Sequence, residues 1–206
     1  EAGKRDLPLL TIFSLFHLAN GVCSVFGPIN ASKPLTVDPL KMVTLINDLG
    51  IHYSFGSPTL WNKISEYCIR SRMFLPSIEK IFMAGAPVSA DVLKKLAQVL
   101  PHGEAFTPYG ATEALPVTLV SNAQIAASKH ELSSGGECGT YVGKAVVGVE
   151  LKVIDPVDGP IHDFTEVKFR LPYEIGEIIV RGANVSNAYF NIPSLLNAGK
   201  IKDGDT

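Results

Sequence analysis

The segment Thr107–Glu113, with the sequence Thr-Pro-Tyr-Gly-Ala-Thr-Glu, contains side chains suited to a nucleotide and a metal ion. The ring of Tyr109 can lie flat against a purine base, and Gly110 lets the backbone approach a ligand closely. Thr112 offers a hydroxyl and an amide to a phosphate oxygen, and Glu113 offers a hard carboxylate to Mg²⁺. An ordinary turn, in which Thr112 caps a helix and Glu113 lies in its first turn, explains the same residues. These seven residues alone leave both interpretations open.

Three further segments contain residues that could take part in chemistry. Small residues in Met83–Pro87 leave room for a planar ring or a thin acyl chain, but taken alone they favour a plain strand-to-helix turn. His17 follows Ser-Leu-Phe, and a histidine among apolar residues is commonly a satisfied core group. The glycine-rich segment Ser133–Gly139 lacks the Gly-Lys-Ser/Thr ending of a phosphate loop and is interpreted as a surface loop.

The elements that must position these residues alternate between helical and strand patterns over the first two-thirds of the chain. Gly and Pro bound short apolar strands, and this rhythm predicts an α/β fold with a mostly parallel sheet and flanking helices. Helices are expected at 18–26, from Asp38-Pro39 to Gly50, at 60–69 and from Ser89 to Leu100. Strands are expected at 51–55, 78–83, 105–108 and 116–120. Ligands of such sheets lie beyond the carboxyl ends of strands, where Met83 and Pro108 are followed by glycine-bearing turns.

After about residue 140 the pattern becomes β-rich, with predicted strands at 149–154 and 176–180 and no long helix before Pro193. We therefore expect two parts: residues 1–140 as part of an α/β lobe, and residues 141–206 as a smaller, barrel-like β-rich subdomain.

Composition narrows the class of protein. The 206 residues carry a net charge of −2 and no basic stripe, which argues against nucleic acid as a partner. Cys23, Cys68 and Cys138 form neither a disulfide framework nor a zinc pattern, so we expect a reducing, cytoplasmic location. Residues 7–32 lack formal charges, but polar residues and prolines interrupt them, so no transmembrane segment is expected.

Taken in order, four segments resemble motifs of the adenylate-forming (AMP-binding) superfamily of acyl-CoA synthetases and luciferase. Leu15–His17 resembles its "LFH" motif, Ala84–Pro87 its "GGAP" motif and Pro108–Glu113 its "YGxTE" motif. Gly176–Gly182, followed by Tyr189–Asn191, resembles "GEIxVRG…GYxN". The resemblance covers nearly the whole chain. Three further segments are similar to the bacterial olefin β-lactone synthetases of long-chain hydrocarbon biosynthesis: Phe55–Pro58, Thr107–Pro116 and Asp158–Ile161.

The resemblance implies an enzyme, an AMP-forming acid ligase that uses ATP and Mg²⁺. Thr112 would contact the α-phosphate and Glu113 would hold Mg²⁺, which makes these two the expected catalytic residues. His17 and Gly85 would line the acyl pocket, and Arg181 and Gly182 would be structural. The expected ATP/AMP site comprises Gly85, Ala86, Pro87, Thr107, Pro108, Tyr109, Gly110, Ala111 and Thr112.

A fatty-acid-like small molecule is the substrate that the resemblance implies, with coenzyme A and other pathway enzymes as further partners. A long-chain β-hydroxy acid would pass through acyl-AMP to a β-lactone; the alternatives are a long-chain acyl-CoA ligase and an acyl-AMP ligase. The family's phosphate loop, ribose-binding aspartate and C-terminal domain with its catalytic lysine are missing. Asp205 could be taken for the ribose-binding aspartate, but we interpret it as part of a turn upstream of that motif. We therefore expect an internal fragment of the large N-terminal domain that is inactive by itself.

Overall fold

The computed structural model describes residues 3–30, 33, 36–127, 140–192 and 199–201. Cys138, the loop Ser133–Gly139 and Asp205 lie outside the described residues. The chain forms two compact units, of which the first comprises residues 1–108 and 119–143 and the second comprises residues 109–118 and 144–206.

The described residues form nine strands in two sheets. The larger sheet has the spatial order β2-β1-β3-β4-β5-β6-β7, and the smaller consists of β8 and β9. The strands are β1 (Arg5–Pro8), β2 (Cys23–Ser24), β3 (Tyr53–Gly56), β4 (Lys80–Met83), β5 (Glu104–Ala111), β6 (Ala114–Ser121), β7 (Lys144–Ala145), β8 (Val149–Ile154) and β9 (Glu177–Gly182). The pairs from β2 through β5 are parallel, which confirms the predicted mostly parallel sheet.

The helices of the first unit are α1 (Ser14–Ala19), α2 (Pro39–Leu49), α3 (Pro58–Ser71), α4 (Ala90–Val99) and α5 (Asn122–Ala127). Asp38, Ser57 and Ser89 cap α2, α3 and α4 with side-chain oxygens that accept backbone N–H bonds, as such residues do at helix N-termini. Apolar side chains of these three helices and of the sheet form the core of the unit, among them Met42, Ile46, Trp61, Ile64, Ile81, Met83 and Leu96.

The predicted helix at 18–26 is wrong. The helix of this region is α1, which ends at Ala19, and Cys23 and Ser24 form an edge strand beside Arg5 and Asp6. Backbone pairing with β1 overrides the local pattern, and the apolar residues of α1 are exposed rather than buried.

In the second unit, β8 and β9 pair antiparallel over six residues each, from Val149 opposite Gly182 to Ile154 opposite Glu177. The only helical element among the described residues from 140 to 192 is the 3₁₀ turn Phe164–Glu166. No helix within the described part of the chain has the length and hydropathy of a membrane-crossing segment.

Candidate functional site

Thr112 and Glu113 form the turn between β5 and β6. Two consecutive strands joined by two residues can pair only antiparallel, since a parallel crossover needs a dozen residues or more. The alternative in which Thr112 caps a helix is therefore wrong, because a strand and not a helix follows Glu113. The turn presents the exposed Thr112 beside the half-buried Glu113.

Glu113 is held at both its backbone and its side chain by a later segment of the same unit. Its carbonyl oxygen accepts a hydrogen bond from the Ser186 amide at 2.6 Å, and Ala114 bridges Val185 in antiparallel fashion. The Tyr189 hydroxyl donates to Oε1 of Glu113 at 2.9 Å. The carboxylate of Glu113 is thereby oriented by a phenol that lies 76 residues away in the sequence.

The hydrogen bond to Glu113 is the main cause that raises the pKa of Tyr189, followed by desolvation and the negative charge of the carboxylate. The phenol therefore keeps its proton and stays the donor of the pair. An ionised carboxylate can only accept hydrogen bonds, so the direction of this bond is set by the chemistry of both groups.

Gly110 stands where a side chain would collide with the opposite strand of the hairpin. A Cβ built on Gly110 would lie 2.4 Å from the carbonyl oxygen of Ala114 and 3.0 Å from Cδ1 of Leu115. The neighbouring Tyr109 is 41% exposed, so its ring is accessible to a planar ligand. Ala111, also exposed, completes the predicted nucleotide residues of this unit.

The described residues contain no cluster of three or more His, Cys, Asp or Glu side chains able to hold a metal ion. A cage built wholly from protein ligands is therefore not found among them. A single carboxylate such as that of Glu113 is nevertheless compatible with Mg²⁺. This ion commonly binds through one or two carboxylates and completes its shell with water and substrate phosphates.

In the first unit, Gly85, Ala86 and Pro87 form an exposed bend just after the carboxyl end of β4. Gly85 has a φ of +88°, a backbone conformation that favours glycine, and a Cβ built there would meet no atom within 4 Å. The bend thus offers bare backbone with open space beside it. Thr107 and Pro108 belong to the same unit, where they are half-buried within β5.

His17 is engaged with a buried carboxylate. Its Nδ1 lies 2.8 Å from Oδ2 of Asp6, whose side chain is fully buried, while the imidazole is 22% exposed. Burial raises the pKa of Asp6, and the hydrogen bond and charge of His17 oppose that rise, as does the Leu7 amide. The ring of His17 also lies 5.9 Å from that of Tyr53.

Asp6 and Tyr53 are paired neighbours near the amino ends of β1 and β3. His17 is thus placed towards the amino ends of the parallel strands, whereas Gly85 follows the carboxyl end of β4. The structure does not gather the two predicted acyl-pocket residues at one end of the sheet, and their shared role stays a prediction.

A row of phenylalanine rings crosses the first unit, and sequence reasoning missed it. Phe55, Phe82 and Phe106 are register partners on β3, β4 and β5, with ring centroids 6.2 and 5.4 Å apart. The ring of Phe13 stacks on Phe55 at 3.6 Å. The signal in the sequence was that each of the three predicted strands contains a phenylalanine, and the observed strand bounds place each one at the third position. Together the rings form a partly exposed apolar surface.

Residues 6–190 match the family model described as AMP-binding enzyme. An olefin β-lactone synthetase of Stenotrophomonas maltophilia is 34% identical over 204 residues, covering 98% of this chain and 36% of that protein. A 4-coumarate–CoA ligase of Oryza sativa subsp. japonica is 26% identical over 206 residues, covering 98% of this chain and 35% of that protein.

The fold is similar to that of the O-succinylbenzoate coenzyme A synthetase of Bacillus subtilis in complex with ATP and a magnesium ion. The TM-score is 0.66 at 20% identity, covering 91% of this chain and 34% of that one. This chain therefore spans about a third of the length of the proteins that it matches.

Proposed function

Because the chain belongs to the AMP-binding enzyme family, we propose that it is part of an ATP- and Mg²⁺-dependent synthetase that adenylates a long-chain β-hydroxy acid and closes it to a β-lactone. The observation that carries this proposal is the placement of Thr112 and Glu113 at the tip of a hairpin, in a chain whose match to the family includes both. The similarity to the olefin β-lactone synthetase supports the narrower choice of product.

The predicted site residues named next have distinct roles in this proposal. Tyr109 stacks on adenine. Gly85–Pro87 provide exposed backbone for nucleotide binding. Thr112 donates to the α-phosphate, and Glu113 holds Mg²⁺, which masks the charge of the triphosphate when it is bound. His17 lines the acyl pocket, with Nε2 as the ring nitrogen that does not face Asp6.

The apolar surface formed by Phe13, Phe55, Phe82 and Phe106 supports a long-chain substrate. Phe13, Phe82 and Phe106 are partly exposed around the buried Phe55, and burying a methylene group of an acyl chain against such an apolar surface is worth about 0.8 kcal/mol. An acid with a long hydrocarbon tail therefore gains more from this surface than a short one does.

The proposed reaction has two steps. In the first, a carboxylate oxygen of the acid bonds to the α-phosphorus of ATP, and the bond to the β-phosphate oxygen breaks, so that acyl-AMP and pyrophosphate form. Thr112 lowers the barrier by donating to the phosphate oxygens that gain negative charge in the transition state. In the second step, the β-hydroxyl of the acyl group loses its proton to water, its oxygen bonds to the acyl carbon, and AMP leaves with the electron pair of the bond that breaks.

The experiment measures ATP–pyrophosphate exchange in the complete enzyme that contains this chain. We expect Glu113→Gln and Thr112→Val each to lower exchange about a hundredfold or more, as loss of a charge-stabilising group commonly does. Glu166→Gln is the matched control, because Glu166 is an exposed glutamate of the 3₁₀ turn and should leave exchange unchanged. Undiminished exchange in both site variants would contradict the assignment.

A coenzyme A ligase is the second candidate, favoured by the similarity to the 4-coumarate–CoA ligase. Supplying coenzyme A with a simple fatty acid distinguishes the two functions. We expect no thioester from this mixture and a β-lactone from the β-hydroxy acid without coenzyme A. Formation of a thioester would replace the proposed product by an acyl-CoA. The 206-residue chain alone is expected to give no exchange, since it spans 36% of the synthetase that it matches.

A further inference from the structure

We propose that Tyr189 is a positioning residue that aims the carboxylate of Glu113 at the metal ion, an inference that rests on the proposed function of Glu113. Its hydroxyl donates a hydrogen bond to Oε1 of Glu113 at 2.9 Å. Among the described residues, Tyr189 is the donor to this carboxylate. One carboxylate oxygen is thereby fixed, and Oε2 stays available to a cation.

The segment that carries Tyr189 is tied to the hairpin by three further contacts. The Ser186 amide donates to the carbonyl of Glu113, Val185 bridges Ala114, and the side-chain amide of Asn184 donates to the carbonyl of Pro116 at 2.6 Å. These contacts join backbone to backbone or side chain to backbone. They set the distance between the two segments, so that the phenol reaches Glu113 without depending on its own hydrogen bond for placement.

Orientation matters because a glutamate side chain has several rotatable bonds. A cation that binds a free glutamate must overcome the conformational entropy lost when that side chain is ordered. A phenol that already holds one oxygen removes part of the cost before the cation arrives. Outer groups that orient metal ligands typically change metal affinity by about 10- to 100-fold when they are removed.

The test is Tyr189→Phe in the complete enzyme, which deletes the hydroxyl and keeps the ring. Binding of Mn²⁺, used as a paramagnetic substitute for Mg²⁺, is measured by electron paramagnetic resonance in the presence of a non-hydrolysable ATP analogue. We expect the dissociation constant of Mn²⁺ to rise about tenfold. The Mg²⁺ concentration that half-saturates pyrophosphate exchange should rise in parallel, while the rate at saturating Mg²⁺ stays within about twofold.

Tyr173→Phe is the matched control, since Tyr173 is fully exposed in the same unit and should leave the Mn²⁺ dissociation constant unchanged. A double variant, Tyr189→Phe with Glu113→Gln, should bind Mn²⁺ no more weakly than Glu113→Gln alone, because the phenol acts through the carboxylate. Additive losses would indicate a general structural role and would overturn the proposal.

Two outcomes separate this proposal from the function on which it rests. Normal Mn²⁺ binding by Tyr189→Phe beside defective binding by Glu113→Gln would overturn the positioning role alone. Normal Mn²⁺ binding by Glu113→Gln would overturn the metal assignment of Glu113, and the role of Tyr189 with it.

Discussion

Replacing His17 by alanine tests the contact between the imidazole and the buried carboxyl group of Asp6 in the first unit. The side chain of Asp6 is fully buried and that of His17 is 22% exposed. Removing one partner of a fully buried pair costs about 3–5 kcal/mol, because the other charge is left without compensation. Water that enters beside Asp6 after loss of the imidazole relieves part of this penalty, so we expect His17→Ala to lower the free energy of unfolding by about 2–4 kcal/mol at pH 7.

The pH dependence separates lost charge pairing from lost packing. Burial raises the pKa of Asp6 above its ordinary value of 3.8, so its contribution to stability is present below that value and is lost as the pH rises through the folded-state pKa. His17 opposes this rise, and its removal raises the pKa of Asp6 further. The loss in His17→Ala should therefore be larger at pH 7 than at about pH 4, where more of the carboxyl is protonated.

The assay is urea unfolding followed by the fluorescence of Trp61, the single tryptophan of the chain, which is fully buried in the same unit. His102→Ala is the control, because His102 is exposed and its removal should change stability by less than about 0.5 kcal/mol. A loss in His17→Ala below about 0.5 kcal/mol at pH 7, or an equal loss at both pH values, would refute the reasoning.

Two further predictions concern other parts of the fold. In a Cys138→Ser background, a thiol reagent at pH 8 should label the exposed Cys23 rapidly and Cys68 only after unfolding. The reason is that Cys68 is buried and burial raises its pKa to about 11. Rapid labelling of both thiols would contradict this prediction. Gly110→Ala should destabilise the hairpin by about 1–3 kcal/mol, seen as faster hydrogen exchange of β5 and β6, while the exposed Ala86→Ser should leave that exchange unchanged.

The fold class was predictable because capping residues and apolar periodicity act locally. Asp38-Pro39 predicted the start of α2, and the Asp38 carboxylate accepts the Leu40 amide at 3.0 Å. The buried side of the same helix was predicted less well. Leu40 and Leu49 lie on the apolar side of the helical pattern, yet they are 48% and 40% exposed, whereas Met42 is fully buried. A periodic pattern indicates that a helix is amphipathic, but packing against α3 and the sheet decides which residues lie at the centre of the contact.

At the candidate site, too, the sequence predicted the residue types, whereas packing decided the local structure. The types of Thr112 and Glu113 indicated phosphate and cation chemistry, but those seven residues were equally compatible with a helix cap. The return of the chain as β6 excludes the helix, since strand pairing depends on residues on both sides of the turn. The Phe55–Phe82–Phe106 row was missed because register across parallel strands is not encoded within any one strand.

The sequence by itself determined the family, the alternating α/β order and the residue types available for chemistry, because motifs, caps and periodicity are properties of short segments. The tertiary structure alone decided that Tyr189 reaches Glu113 and that His17 faces a buried Asp6. Each contact joins residues of different segments, 76 residues apart for Tyr189 and Glu113, so it depends on how those segments pack and not on either one alone. The motif segments Pro108–Glu113 and Tyr189–Asn191, separate in the sequence, are thus joined by a hydrogen bond at the carboxylate of Glu113.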